Sequence, residues 1–401
     1  MKKTMKKTAI IAPYTRPVPP VRGGGVQIGI AEVVNHFKQF KPYVFSVADK
    51  ELPEKHIIGN AQFIHITVTK ESMRSSVFDI WSLKEYVHYC YQIAQYLNEI
   101  QPEIIHIRVN PWFVRPLKRF LKYNPKIILQ HHTCPFSRSM KSWEIKSIMN
   151  SIDMFTGVSG YVVNREVLSP YPVYEKKCRV IYNGINPEHF TPYWLNGSER
   201  KKHRASFGID DHELLLLYVG QIRENKGVLS VIKAFNELEK INKNVKLMMI
   251  GSPSGGSDKP DKEQKVFFDS FKKEIANKPA IIYNGFTGRN KIQDLYQMAD
   301  IFCAPSIVTE TFGLVIAEAM ASGLPVISST RGGIPELVGD AGYMVEHPEF
   351  PDEILPLMQM LVSDRQLRER IGRSARTRIE NNFTWEKTAA TTEQIYLELL
   401  E

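Results

Sequence analysis

The chain has 401 residues, 43% of them hydrophobic, and a formal charge of +9. That length exceeds what one core usually organises and implies two domains of about 200 residues each. The longest apolar runs, such as "LLLLYVG" at 214–220, fall far short of the roughly 20 residues of a bilayer-crossing helix, and four scattered cysteines (Cys90, Cys134, Cys178, Cys303) without a CxxC exclude a disulfide framework or a zinc ribbon and fit a reducing cytoplasm.

The start, "MKKTMKKTAIIAPYTRP", is basic but has too short an apolar stretch and no small-residue cleavage site for a signal peptide, so a cytoplasmic location is expected. From there, short Val- and Ile-rich runs, "TAIIAP", "PYVFSV", "AQFIHITV", "EIIHIR", "KIILQHH" and "DMFTGVS", alternate with longer segments of helical spacing such as 77–100. Strands separated by helices imply a parallel sheet covered on both faces. A polar, Pro- and Gly-containing stretch, "RVIYNGINPEHFTPYWLNGSE", interrupts the pattern, which restarts with "LLLLYVG", "VKLMMIG", "AIIYNGF", "IFCAPS" and "LPVISS". Two α/β units joined near 190–205 are therefore expected. "SPSGGSDKPDKEQK" at 252–265 reads as a loop, and "FTWEKTAATTEQIYLELLE" as a terminal helix able to dock on either unit.

Charge is uneven along this plan. Residues 1–195 hold 26 basic and 14 acidic side chains, net +12, which leaves −3 for the rest. A basic first half suits an anionic partner, a phosphorylated acceptor or a membrane surface, unless it is simply solvated lysine. The cluster Arg115, Lys118, Arg119, Lys122 and Lys126 is the part suited to anionic lipid. No nucleic-acid-binding module accompanies the charge, so no nucleic-acid partner is expected.

Three segments suit a phosphate. In "ETFGLVIAEAMASGLPVISS" the Gly323–Pro325 stop defines a helix starting near Gly313, just after the strand "IFCAPS". Ligands of open α/β sheets bind at that carboxyl end, and the amides of Thr311, Phe312 and Gly313 would meet them. Glu310 precedes this helix, and Glu318 sits in its second turn among Ile316, Ala317, Ala319 and Met320. A carboxylate there needs partners: ligand hydroxyls, a basic neighbour or solvent. In "VGQIRENKGV" a strand ends at Gly220 and a loop presents Arg223 and Lys226, two cations able to neutralise a diphosphate unless they only decorate a surface loop. In "PPVRGGGVQIGIAEVV" Gly23, Gly24 and Gly25 precede an amphipathic helix, although Ile28 stands where a GxGxxG fingerprint needs glycine and only Asp49 after the second strand supports that reading. His131 and His132 are adjacent and should face opposite sides, so metal ligation with Cys134 is disfavoured; His106 reads as a packed strand histidine. The nearest approach to a D-x-D is Asp258 with Asp261, which has the wrong spacing.

Taken together, "PSIVTETFGLVIAEAMASGLPVISSTRGGIPELV" with its E-x7-E spacing, "VIYNGINPEHF", "PPVRGGG", "QHHT" and "FTWEKTA" resemble the retaining family 4 glycosyltransferases of GT-B architecture. The resemblance covers nearly the whole chain. It implies two Rossmann-like domains facing a central cleft, a first, acceptor-side domain over 1–195, a second, nucleotide-sugar domain over 196–380, and a helix over 381–401 crossing back to the first. It also implies metal-independent transfer of a sugar from a UDP-, GDP- or ADP-linked donor, with no other cofactor, to a glycan, lipid or protein acceptor. By position, Glu318 matches the carboxylate on the donor ribose, Glu310 the one on the donor sugar, and Lys226 the diphosphate lysine. Thr311, Phe312, Gly313, Leu314 and Val315 match the backbone holding the distal phosphate, Gly24 and Gly25 the nucleotide-facing glycine loop, and His132 a histidine near sugar and acceptor. Where the family has Gly-Arg, this chain has Gly220–Gln221; Arg223 is expected to compensate. "PVPPVRGGGVQIGIAEVV", "VFSVADK" and "HFTPYWLNGSE" look most like the spore coat protein SA group, which implies a cytoplasmic protein associated with a spore coat or surface glycan. The rivals are a nucleotide-sugar epimerase or hydrolase of the same architecture and a non-catalytic coat scaffold. No carboxylate pair in the first domain suggests a nucleophile, which favours front-face attack by the acceptor.

Overall fold

The computed structural model describes residues 5–21, 24–68, 80–195, 197–254 and 260–401, without the side chains of 80–85 and 289–290. Gly23, residues 77–79 of the expected helix, Asp258 and the middle of the 252–265 loop lie outside the described residues.

Every apolar run quoted above is a strand. In the first sheet these are β1 (Lys6–Ile11), β2 (Phe40–Val47), β4 (Ala61–Ile66), β5 (Ile104–Arg108), β6 (Lys126–His131) and β7 (Met154–Gly157), joined by two further strands, β3 (Lys55–Ile58) and β8 (Cys178–Val180). Their order is β3-β4-β2-β1-β5-β6-β7-β8, parallel throughout except for the antiparallel edge pair β3–β4. The second sheet has β9 (Leu214–Val219), β10 (Val245–Ile250), β11 (Ile281–Tyr283), β12 (Ile301–Cys303), β13 (Val326–Ser329) and β14 (Tyr343–Val345) in the all-parallel order β11-β10-β9-β12-β13-β14. Parallel strands need crossovers, and the helices that make them cover both faces.

Alternation along β5 shows how the first unit is built. Ile105 and Ile107 enter one core with Tyr89, Ile93, Phe113 and Leu129. Ile104 enters the other, with Ile10, Ile30, Val33 and Ile128. Side chains two apart share a face, so His106 and Arg108 lie on the second side.

Chain contacts divide the molecule into Met1–Gly184 with Trp385–Glu401, and Ile185–Thr384. The first crossing point thus comes about ten residues before the expected 195, because Ile185 already bridges Thr384 in the second unit. The last helix, Trp385–Leu400, belongs to the first unit. Glu393 Oε1 accepts the amides of Lys38, Gln39 and Phe40 at 3.0, 2.7 and 3.0 Å, the Thr388 hydroxyl donates to the Tyr182 carbonyl at 3.0 Å, and Tyr396 packs edge-on to Phe37 and Phe40. Gly29 and Gly184 leave room for the Trp385 ring, where a Cβ would press into it.

Candidate functional site

In the second unit, two loops leave the carboxyl ends of neighbouring strands β9 and β12 and are tied together. Asn225 O accepts the amides of Ile307 and Val308 at 3.2 and 3.0 Å. Gly227, with φ 72°, lies so close to the Pro305 carbonyl that a Cβ would collide with it. This clamp sets Lys226 beside Glu310, and Lys226 Nζ donates to Glu310 Oε1. Ser306 Oγ lies 3.2 Å from the same oxygen and 3.0 Å from the Val308 carbonyl, so its single proton serves one of the two. Behind them the buried Tyr218 donates to the Gln221 carbonyl at 3.0 Å, and its phenol is pushed up by burial and by the Glu310 charge. The backbone of Glu310 is held as well: it bridges Gly332, and its carbonyl accepts from Gly333 at 2.8 Å. The side chains of Lys226 and Glu310 keep 22% and 29% exposure, enough for a ligand to reach both.

Three residues further on, Gly313 takes φ 98° and caps the helix Leu314–Ala321. Ile316 and Ala317 both donate to the Gly313 carbonyl at 3.0 Å, leaving Leu314 and Val315 as the first-turn amides the helix cannot satisfy itself. Leu314 and Val315 are among the five residues, Thr311–Val315, expected to present backbone to a phosphate. Phe312 contributes packing: its ring is buried edge-on to Phe383. The predicted stop is also present, as Gly323, at φ 73°, donates to the Met320 carbonyl at 3.0 Å.

Glu318 lies one turn inside this helix, and its Oε2 accepts the Tyr296 hydroxyl at 2.9 Å; that hydroxyl is also 3.2 Å from the Val315 carbonyl. Tyr296 is fully buried, and burial first, then Glu318, raises its phenol, so it stays a proton donor. A half-buried carboxylate braced from beneath by a neutral phenol keeps accepting capacity for ligand hydroxyls. Tyr296 carries no motif of its own and nothing local in the sequence singles it out, while Ser306 lies inside the "PSIVTE" run without a local sign of its contact with Glu310. Arg223 points its Nε to the Pro253 carbonyl at 2.7 Å, while Gln221 uses its own carbonyl toward Tyr218.

In the first unit, Gly24 takes φ 109° as N-cap of the helix Gly25–Asn35, a conformation open to glycine and strained for any L side chain. His131 and His132 do face opposite ways. His131 packs edge-on to Phe136 and Phe155 in one core, its Nδ1 3.2 Å from Glu166 Oε2. Glu166 also receives the Phe136 and Ser137 amides at 2.7 and 3.1 Å, which makes it a brace for that helix start. His132 is buried near Arg108, and burial first, then the Arg108 cation, holds its imidazole well below the ordinary range. His106 is a packed strand histidine as expected, with Nδ1 2.8 Å from the Tyr396 hydroxyl.

Two families match in tandem: glycosyltransferase family 4 over residues 23–189, and glycosyl transferases group 1 over residues 199–378. The spore coat protein SA of Bacillus subtilis is 26% identical over 395 residues, 97% of this chain and 99% of that protein. Among solved structures, a glycosyltransferase from Rickettsia africae is similar with TM-score 0.76 and 22% identity over all of both chains. Anabaena HepE in complex with UDP and glucose is similar with TM-score 0.72 and 16% identity over 98% of this chain and 99% of that one. The structural likeness concerns the fold; the paired sequence families concern lineage. On that basis the chain belongs to the family 4 glycosyltransferases of GT-B architecture and is a glycosyltransferase.

Proposed function

We propose that the chain moves a sugar from a nucleoside-diphosphate sugar to an acceptor hydroxyl with retained configuration, without a metal and with no cofactor beyond the donor. The observation that supports this is the Lys226–Glu310 pair, with Glu310 four residues ahead of a helix whose first-turn amides, Leu314 and Val315, find no partner within the helix. As donor enters, Lys226 leaves Glu310 for the diphosphate, and Glu310 turns to the sugar hydroxyls. The anomeric C–O bond breaks with its electron pair going to the diphosphate, whose growing charge Lys226 and the two amides stabilise. The acceptor oxygen bonds to the same face of the anomeric carbon, and its proton passes to the departing phosphate oxygen. Glu310 positions the sugar and does not attack it. Glu318, braced by Tyr296, takes the ribose hydroxyls; in the first unit, His132 serves sugar and acceptor, and Gly24 and Gly25 serve the donor nucleotide. Arg223 supplies long-range charge to the diphosphate while its Nε stays on the Pro253 carbonyl.

The neighbour that binds UDP makes UDP-linked sugars the first donors to test. Arg115, Lys118, Arg119 and Lys122 are exposed, with Arg115 5.7 Å over the ring of Trp143, itself 59% exposed. That surface suits an anionic membrane or coat glycan carrying the acceptor. No helix among the described residues is long and apolar enough to cross a membrane.

The decisive assay follows slow donor cleavage by water, and then transfer, with UDP-, GDP- and ADP-glucose by proton NMR. The first sugar released should keep the donor's anomeric configuration. An inverted product, or a donor isomerised in the absence of any acceptor, would refute the proposal.

A further inference from the structure

Strand β5 ends in a charge that nothing in its surroundings explains. All five of its residues are buried, Arg108 to 3% exposure. Arg108 pairs in register with Gln130 and lies on the same face as His106. Its Nε has no hydrogen-bond acceptor, and among the described residues it makes no ion pair with Asp or Glu. The group that favours its charge is the Tyr396 hydroxyl, while its charge helps keep His106 and His132 neutral. Burial pulls the guanidinium down to about 10, which leaves it cationic at neutral pH. An uncompensated charge at this depth is destabilising unless an anion arrives.

The backbone just beyond is strained. Val109 has φ 73°, in the left-handed region that a β-branched residue avoids, and Asn110 N donates back to the Arg108 carbonyl at 2.9 Å across it. This three-residue turn brings Asn110, two residues on, back toward Arg108, at 8% exposure and with its Nδ2 buried and lacking an acceptor. A buried cation and a buried amide donor thus flank a strained turn at the carboxyl end of a central parallel strand, where ligands of such sheets bind.

We infer that Arg108 and Asn110 form an oxyanion-binding subsite in the first unit, which takes a phosphate or carboxylate group of the acceptor. The word acceptor rests on the proposed function; the subsite itself does not. The guanidinium fork supplies two parallel donors to the oxyanion and the Asn110 amide a third, while neutral His106 and His132 line the site without repelling a charge of either sign. A neutral acceptor would leave these donors unpaired and be rejected.

Thermal melts of the full chain test this with inorganic phosphate and with acetate, each titrated at saturating UDP so that the donor diphosphate site is occupied. Wild type should rise saturably with at least one anion, phosphate marking a phosphorylated acceptor and acetate a carboxylated one. In Arg108→Met the affinity should fall roughly 30-fold or more. The ligand-free melting temperature of that variant should equal or exceed wild type, because the stranded charge is gone. Absence of a saturable shift, an equal shift in Arg108→Met, or a destabilised or insoluble variant would each overturn the inference. The shift produced by UDP alone reports on the proposed function separately.

Discussion

Replacing Lys226 by methionine keeps most of the stem and removes the amine. The pair with Glu310 is 22% and 29% exposed, and pairs this open contribute under about 1 kcal/mol to stability. For a unit of this size that is a melting shift of at most about 2–4 °C. Catalysis is affected differently, because the amine meets its full task only as charge grows on the departing diphosphate. Losing one such donor from a preorganised site costs about 3–4 kcal/mol of barrier, a fall of roughly 100- to 1000-fold in turnover. The assay is nucleoside diphosphate release, followed beside a thermal melt of the same preparation. A Lys226→Met protein with normal melting and less than a tenfold loss of kcat/KM would show that the amine does not serve the diphosphate.

Gly227→Ala should lower the melting temperature by several degrees and reduce activity, since both φ 72° and the Pro305 carbonyl oppose a Cβ and the loop carrying Lys226 depends on that contact; a variant as stable and active as wild type would show the clamp to be dispensable. Tyr296→Phe removes the brace beneath Glu318 and should weaken nucleoside diphosphate binding by about tenfold, checked by calorimetry, with a stability loss of about 1–2 kcal/mol. Burial holds the His106 and His132 imidazoles well below their ordinary 6.5 in the folded chain. The unfolded chain therefore binds more protons below about pH 6.5, so stability is complete above that pH and is lost as pH falls through it, each histidine adding up to about 1.4 kcal/mol per pH unit. Melts from pH 7.5 to 5.5 should fall accordingly and fall less in His106→Asn; a flat profile would contradict the buried neutral state.

The strands that hold the site were legible because a strand buried on both faces must be apolar almost throughout, and runs such as "KIILQHH" and "LLLLYVG" are. β3, β8 and β14 were not. Lys55–Ile58 is largely exposed, and the other two, Cys-Arg-Val and Tyr-Met-Val, are short, lie in polar sequence and are only partly buried, without the apolar run that marks the equally short β11 and β12. Glu310, Glu318 and Lys226 stood out because charge sits against a glycine or an apolar helix, a conflict visible locally. Their partners did not. Tyr296 is 22 residues from Glu318 and Glu310 is 84 from Lys226, so only the fold pairs them. Arg108 closes a strand that was read for its histidine, and its significance lies in what does not surround it, which a sequence cannot display. The terminal helix was recognisable as a helix, but its destination depends on Glu393 and Tyr396 meeting residues more than 280 positions earlier.

Calorimetric titration of UDP, GDP and ADP into the wild-type chain and into Glu318→Ala tests the central claim most directly. Saturable one-site binding of at least one of the three to wild type is expected, weakened by about tenfold or more in a Glu318→Ala protein that melts normally. A well-folded wild type that binds none of them, or a Glu318→Ala protein that binds its nucleotide as tightly as wild type, would contradict it.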